Sequence, residues 1–271
     1  MEGLHLILNW TALLLWVGAR PGYSGAVGRR ISLGGRLVRT GLPFVGVVLL
    51  LVGRAAFYDR FAAEVGWIPY LAMADYVLPF GQHDFASKFA FSVATFGQWL
   101  VVYYYCLFFL SLISPRPPVA EGWRRFLRSQ LGPVHEWPAT VRVVLPVLGA
   151  AVWHYGLASW LGALQAFPVS MGPLELQWVL VMTALNLQAV AWLALGVLGM
   201  FVIQNYVVLG GAELWRVTEA GGRALLRPLH ALPLRAGRVD LAPLVAMGVV
   251  YGGGWLCAPG LLEWLSQRLP F

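Results

Sequence analysis

Histidine is the residue of this chain best suited to acid–base or metal chemistry, and the sequence holds five. They are His5, His83, His135, His154 and His230. No two stand at the HxxH or HxxxH spacing that brings imidazoles to one face of a helix, and no carboxylate stands at ligand spacing. The histidine clusters of membrane desaturases and a GxSxG nucleophile motif are also missing from the sequence. We therefore predict no metal ion, no cofactor and no catalytic residue.

His154 stands in an apolar run between Trp153 and Tyr155, and we expect it to lie deeper in the membrane than the other histidines. Asn186 and Gln188, in another apolar run, could share a polar path with it. A relay of protons or ions needs a buried group of this kind. A neutral histidine that only hydrogen-bonds one helix to another has the same sequence pattern. Transport of an ion or small solute is therefore the alternative function, beside a structural role.

The composition indicates which solvent surrounds these residues. Of the 271 residues 59% are hydrophobic and only 11% are charged, with a mean hydropathy of +0.70. Soluble domains carry about 25% charged residues, so lipid must be part of this chain's solvent. About 20 apolar residues in a helix cross the hydrocarbon layer. Six segments approach or exceed that length: approximately Leu4–Val17, Leu42–Tyr58, Phe85–Ile113, Val141–Leu161, Leu174–Leu209 and Leu241–Leu262.

These segments predict an all-α fold, a polytopic transmembrane bundle of about six spans. Residues 1–165 would hold two helical hairpins, and residues 166–271 a third with a surface helix. Gly66–Phe80 is apolar but short and carries Pro69 and Asp75, which favours an interfacial helix over a re-entrant element.

The arginines predict the orientation of the spans. Alternate connections 19–41, 114–142 and 210–240 hold five arginines each, whereas the connections between them are acidic or neutral. The positive-inside rule places these three in the cytoplasm and both termini outside. Arg54 and Lys88, near outer ends of spans, are predicted to snorkel to the headgroups. The basic residues predicted to meet anionic lipid are Arg29, Arg30, Arg124, Arg125, Arg223 and Arg235.

Proline marks three of the predicted helix starts. Pro43, Pro146 and Pro243 each open an apolar run, and we expect each in the first turn of its helix, where proline leaves no N–H unpaired. A weak repeat of three hairpins is one explanation. The general preference of helix starts for proline is the other.

The third arginine-rich connection has the most distinctive pattern. Glu213–Leu226 predicts an amphipathic helix on the inner leaflet, with Leu214, Val217, Leu225 and Leu226 toward the acyl chains. Asp240 is predicted to cap the last helix with its carboxylate.

This connection resembles the YggT family, the YlmG-like membrane proteins of bacteria and plastids. That family pairs two membrane helices through a segment of the form T-E-P-x-L-x-P-x-R-x-x-x-P, followed by G-x-x-D-x-x-P. The residues that match across 174–262 are Arg227, Pro228, Pro233, Gly237, Asp240 and Pro243. Ala220 stands where the family prefers proline, and His230 replaces a usual arginine.

The resemblance implies a multi-pass protein of the bacterial inner membrane. It also implies a non-catalytic structural or regulatory factor in envelope organisation, division or osmotic tolerance, rather than an enzyme. We expect anionic lipid headgroups as its partners, with an envelope or division protein as a further one, and no nucleic acid.

Overall fold

The computed structural model describes residues 2–19, 33–65, 70–73, 76–79, 84–114, 121–163, 174–207, 213–232, 234–236 and 239–266. This part of the chain is predominantly helical. Its helices are α1 (Glu2–Gly18), α2 (Leu33–Val65), α3 (Phe85–Ile113), α4 (Glu121–Leu131), α5 (Ala139–Ala163), α6 (Leu174–Tyr206), α7 (Glu213–Leu226) and α8 (Ala242–Ser266).

Four helical segments are long and apolar enough to cross a membrane: Gly41–Phe61, Phe85–Ile113, Ala139–Ala163 and Val179–Asn205. Two shorter apolar segments, Gly3–Gly18 and Ala242–Gly254, accompany them. Each of the six predicted spans therefore coincides with a helix. The prediction of a helical membrane protein is confirmed at this level.

The outward faces of these helices are apolar. Leu49 of α2 is 66% exposed and Val152 of α5 is 73% exposed. Small and aromatic side chains such as Ala90 and Phe91 of α3 are instead buried. Large aliphatic side chains on the outside and small ones between helices are typical of a protein whose outer surface meets lipid.

The interfacial helix predicted for Gly66–Phe80 is wrong. Tyr70–Met73 (β1) and Tyr76–Pro79 (β2) pair as an antiparallel hairpin in which Met73 faces Tyr76. The two strands are rich in aromatic and branched side chains, which favour extended backbone. A second short hairpin pairs Arg235–Ala236 (β3) with Val239–Asp240 (β4), directly before α8.

Two of the three predicted proline positions are also wrong. Pro43 and Pro146 lie inside α2 and α5, since α2 begins at Leu33 and α5 at Ala139. Only Pro243 stands in the first turn of its helix. Helices that cross a membrane tolerate internal proline, because neighbouring groups satisfy the carbonyl that proline leaves without a donor.

The chain forms two compact units, residues 1–103 with 148–183 and residues 104–147 with 184–271. These units do not follow the predicted division at residue 165, because α3, α5 and α6 contribute to both. Each unit has an apolar core of its own. That of the first contains Ala12, Val47, Leu51 and Phe96, and that of the second contains Leu198, Phe201, Leu226, Ala242 and Ala246.

Candidate functional site

A buried arginine joins α1 to α2 in the first unit. Arg54 is only 3% exposed. Its Nη1 donates to Asn9 Oδ1 at 2.7 Å, and its Nε donates to the Tyr58 hydroxyl at 3.1 Å. Its Nη2 lies 3.2 Å from Nδ1 of His5. His5 and Asn9 are four residues apart on α1, as Arg54 and Tyr58 are on α2, so each pair shares one helix face.

The hydrogen bonds constrain the tautomer of His5 in this arginine network, which we define as His5, Asn9, Arg54 and Tyr58. A guanidinium group only donates, so His5 Nδ1 must accept from Arg54. The Tyr58 oxygen accepts from Arg54 and lies 2.5 Å from the same His5 Nδ1. The contact with Arg54 is compatible with the tautomer of His5 that carries its proton on Nε2.

Aromatic rings complete the surroundings of the guanidinium group. Its central carbon lies 5.4 Å from the ring centroid of Tyr58 and 5.3 Å from that of Phe91, distances typical of cation–π contacts. None of the four ion pairs in the described ranges involves Arg54. The prediction that Arg54 snorkels to the headgroups is wrong, because polar side chains of α1 bind it inside the protein.

The same prediction is wrong for Lys88. This side chain is 3% exposed, and its Nζ lies 2.7 Å from Oδ1 of Asp59, at the end of α2. The Asp59 side chain is 42% exposed and so remains partly hydrated. The ammonium group is thus buried beside a carboxylate rather than extended to the headgroups.

The predicted polar path is not assembled within one unit. His154 is fully buried in α5 and belongs to the first unit, whereas Asn186 and Gln188 of α6 belong to the second. Asn186 is also buried. Gln188 instead lines a groove between α6 and α8, together with Trp192 and Tyr251.

The helix predicted for Glu213–Leu226 is confirmed as α7, with the same bounds. Leu214 is 61% exposed, as expected of a side chain that faces lipid. Leu226, predicted to face lipid too, is 2% exposed and packs in the core of the second unit. A Cβ added at Gly222 would lie 2.5 Å from Cγ of Phe201, so α7 approaches α6 very closely there.

Asp240 caps α8 as predicted. Its carboxylate accepts a hydrogen bond from the Ala242 N–H, the first of the helix, at 3.0 Å. Leu241 N–H donates to the Leu234 carbonyl at 2.9 Å, which closes the β3–β4 segment against the start of α8. Pro243 follows in the first turn and is buried.

Of the other residues singled out by motif or charge, Arg124 is half-buried, several are exposed, and the rest are described in their main chain only or lie outside the described residues. Arg227 and Pro228 are exposed, and Arg223 pairs with Glu219 at 2.5 Å. Arg125 pairs with Glu121 at 3.2 Å on α4. Only the main chain of Arg235 is described. Arg29, Arg30, Pro233 and Gly237 lie outside the described part of the chain.

The second unit contains a sequence repeat that the apolar pattern alone does not reveal. α4 begins Glu121-Gly122-Trp123-Arg124 and α7 begins Glu213-Leu214-Trp215-Arg216, so both have the form E-x-W-R. The segments that end them, Leu131–Pro138 and Leu226–Pro233, share the form L-x-P-h-H-x-h-P, in which h is a large apolar residue. Each surface helix stands between two apolar helices, α3 and α5 or α6 and α8.

The two copies also share their backbone geometry. A 3₁₀ turn follows each helix, Gly132–Glu136 after α4 and Arg227–Ala231 after α7. After each turn a residue in extended conformation donates its N–H three residues back, Trp137 to Val134 at 3.1 Å and Leu232 to Leu229 at 3.0 Å. α7 has 14 residues and α4 has 11, and this difference hides the repeat from an ungapped comparison.

Basic groups surround a histidine at the first of these turns. His135 is 8% exposed, and burial lowers its pKa. The charges of Arg142, Arg124 and Arg128 lower that pKa further, and Glu136 opposes them. Arg128 itself forms an ion pair with Glu136. Arg142 Nη1 donates to the Ser111 carbonyl at 2.7 Å, which fixes the guanidinium group at the start of α5.

Neither of these clusters has the composition of a metal site. Within the described ranges, no three His, Cys, Asp or Glu side chains gather as a metal ion would require. The arginine network and the basic group around His135 offer hydrogen-bond donors and positive charge instead. No protein-family model, no curated protein and no solved structure matches this chain.

Proposed function

We propose that this protein is a six-span membrane protein with both termini outside that acts as a non-catalytic structural or regulatory factor. The observation that supports this most is the repeated surface segment, in which an amphipathic helix and a 3₁₀ turn connect two apolar helices twice. A protein built to hold two such segments at one membrane surface presents a fixed contact face. The cytoplasmic leaflet is the surface we assign to it.

The charge distribution on α4 and α7 supports contact with anionic lipid. Arg125, Arg128 and Arg223 are 74%, 62% and 70% exposed, whereas Leu127 and Leu226 of the same helices are buried in the protein. Each exposed juxtamembrane arginine contributes about 1 kcal/mol of attraction to an anionic leaflet. The two helices would therefore lie along the inner surface with their arginines among the phosphates.

Six spans follow if α1 and α8 cross the membrane beside the four longer segments. α1 has 17 residues and α8 has 25. At 1.5 Å per residue, a helix as short as α1 covers about 25 Å, which a slightly thinned bilayer accommodates. An even number of spans agrees with the three arginine-rich connections on one side.

The resemblance to the YggT family supports placing this protein in the bacterial inner membrane and giving it a role in the cell envelope. Two of the residues that match that family's motif are Asp240, which caps α8 in this chain, and Pro228, which lies in the 3₁₀ turn after α7. We therefore infer residence in the bacterial inner membrane and a role in envelope organisation, division or osmotic tolerance. A partner from the envelope or division machinery would bind the face formed by α7 and the segment that leads to α8.

Rescue of a deletion strain tests this proposal. We expect Asp240→Ala to impair rescue, because the α8 start loses its cap, and Asp240→Asn to restore it, because an amide oxygen also caps. Arg227→Ala should impair rescue at unchanged membrane level. Full rescue by Asp240→Ala and Arg227→Ala, or a reporter fused near Arg125 that reads the outer face, would overturn the proposal.

Transport of an ion or small solute is the second candidate. Polar side chains buried within spans, such as Arg54 and His154, favour it, because such groups are rare in lipid and often functional. Flux into proteoliposomes that disappears in His154→Ala and persists in Thr11→Val would support transport. Impermeable proteoliposomes with folded protein would exclude it for the solutes tested.

A further inference from the structure

Three arginines and one histidine lie on α4, on the turn Gly132–Glu136 and on α5, which are consecutive in the chain. Arg124 and Arg128 are four residues apart on α4 and so share a face. His135 lies in the turn, and Arg142 lies in the first turns of α5. The three guanidinium groups are near enough to His135 to act on its pKa.

Two of these side chains hold buried nitrogen atoms that lack a hydrogen-bond partner. Nδ1 of His135 is buried without a partner in a side chain that is 8% exposed. Nε of Arg142 is also buried without a partner, although Nη1 of the same group is held by Ser111. Buried polar atoms in folded proteins are nearly always satisfied. Nδ1 of His135 and Nε of Arg142 can both donate a hydrogen bond. Because neither has a partner within the protein, we infer that an acceptor from outside the chain completes the site.

The charge around these atoms favours an anion. The charged groups that act on His135 are three guanidinium groups and one carboxylate, that of Glu136, which is already paired with Arg128. Arginine forks match the oxygen geometry of phosphate, and imidazole adds a further donor. If the surface segments lie on the inner leaflet as proposed above, the groups at this level are lipid headgroups.

We propose that Arg124, Arg128, His135 and Arg142 form a binding site for a phosphate group, supplied by the headgroup of an anionic phospholipid. This inference rests on the proposed function for the source of the phosphate, but not for the site itself. Free phosphate would use the same donors. The site therefore anchors the first copy of the repeat to one lipid molecule rather than to the membrane surface in general.

The second copy of the repeat lacks this site. Arg142 follows the last proline of its segment by four residues, and the corresponding position after Pro233 is Gly237. α8 begins later, at Ala242, and its start is capped by Asp240. A carboxylate thus stands near the second helix start where the first has a guanidinium group. We expect phosphate binding at the first copy only.

Binding should depend on pH through His135. The groups that face this imidazole are Arg124 and Arg128 from α4, Glu136 from the turn and Arg142 from α5. A bound phosphodiester adds a negative charge beside them and raises the pKa of His135 toward its ordinary value. By linkage, the protonated imidazole holds the phosphodiester more tightly, so affinity rises as the pH falls. A phosphodiester itself does not titrate near neutral pH, so the change reports on the histidine.

Native mass spectrometry of the full chain in mild detergent tests the site. The probes are phosphatidylglycerol, the phosphate-free diacylglycerol with the same chains, and inorganic phosphate. We expect one phosphatidylglycerol retained per chain and no diacylglycerol. The variant Arg124→Gln/Arg142→Gln should bind at least about tenfold more weakly. Arg60→Gln, which removes an exposed charge on α2 outside the site, is the control and should bind like the unaltered protein.

Competition identifies the source of the phosphate. Phosphatidylglycerol displaced by millimolar inorganic phosphate would assign the site to the phosphate group alone. Retention against that competition would assign it to the lipid. Equal retention of phosphatidylglycerol and diacylglycerol, or undiminished binding by the double variant, would overturn the proposal.

A measurement on the unaltered protein guards against variants that fail to fold. We expect affinity for phosphatidylglycerol to be several-fold higher at about pH 5.5 than at about pH 7.5, and His135→Gln to remove this difference. Affinity independent of pH in the unaltered protein would contradict the role of His135. These results do not depend on topology, so a reporter that places α4 outside would refute the proposed function and leave the phosphate site standing.

Discussion

Replacing Asn9 with leucine should destabilise the protein far more than an exposed change on the same helix. The main effect is that Nη1 of Arg54 loses its acceptor at 2.7 Å, since leucine offers no oxygen in place of the amide. Arg54 is 3% exposed and cannot turn to water without leaving α1. A hydrogen bond to a charged group is worth about 1.5–3 kcal/mol, and arginine cannot escape the loss by giving up its proton.

The size of the effect can be measured by thermal unfolding in detergent, with tryptophan fluorescence as the signal that reports unfolding. A loss of about 1 kcal/mol lowers Tm by roughly 2–4 °C in a protein of this size class, so we expect a drop of roughly 3–12 °C. Thr11→Val is the control, because the Thr11 hydroxyl is exposed and bonds only its own helix, at 2.8 Å from the Ile7 carbonyl.

A double-mutant cycle separates this explanation from a general loss of packing. Asn9→Leu/Arg54→Met removes the charge together with its acceptor, and replacing a whole buried polar pair by apolar side chains is often neutral or stabilising. The double variant should therefore unfold at a higher temperature than Asn9→Leu alone. Effects that add within about 0.5 kcal/mol would refute the network, since independent sites behave in that way.

Three other contacts lead to predictions of the same kind. Asp59→Ala should cost about 3 kcal/mol by thermal unfolding, because it takes the negative charge from a buried ammonium group, whereas Lys88→Met should cost less, because the Asp59 side chain is 42% exposed and can be hydrated. Gly222→Ala should cost about 1–3 kcal/mol through the clash with Phe201, and Gly199→Ala, whose Cβ would meet nothing within 4 Å, should be neutral or slightly stabilising. In protein freed of phosphate and lipid, stability should fall as pH drops below about 6.5, because the pKa of His135 is lowered in the folded state and the unfolded chain then binds more protons. His135→Gln should flatten that part of a stability profile measured from about pH 7.5 to 5, and an unchanged slope would contradict the burial of this imidazole.

The helices could be predicted from the sequence because their signal is local. A long, predominantly apolar run predicts Phe85–Ile113 with the bounds of α3, and the alternation of arginine with apolar residues predicts those of α7. The Asp240 cap is also local, since the carboxylate and the N–H it accepts from are two residues apart. Such features depend on the chain within a few turns.

The arginine network could not be predicted in the same way. His5 and Asn9 share one helix face and Arg54 and Tyr58 share another, but the sequence does not say that these faces meet. An arginine near the end of a span reaches water when nothing polar is closer, and it binds within the protein when a neighbouring helix offers oxygen and nitrogen acceptors. The β1–β2 hairpin was missed because an apolar run as short as 70–79 fits a strand pair and a surface helix equally well.

The repeated segment shows which part of a surface helix fixes its orientation. Aligned at their last residues, the two helices place Leu127 against Gly222 and Leu131 against Leu226, and all four are buried. The three additional residues of α7 would rotate its face by about 60° if the helices were aligned at their first residues instead. The proline turn after each helix therefore sets the buried face, and the additional residues of α7 are accommodated at its beginning. Both turns share one form, so the two copies differ in chemistry at other places. On the surface helices Arg124 stands against Glu219, and at the start of the next apolar helix one copy has Arg142 and the other has the Asp240 cap.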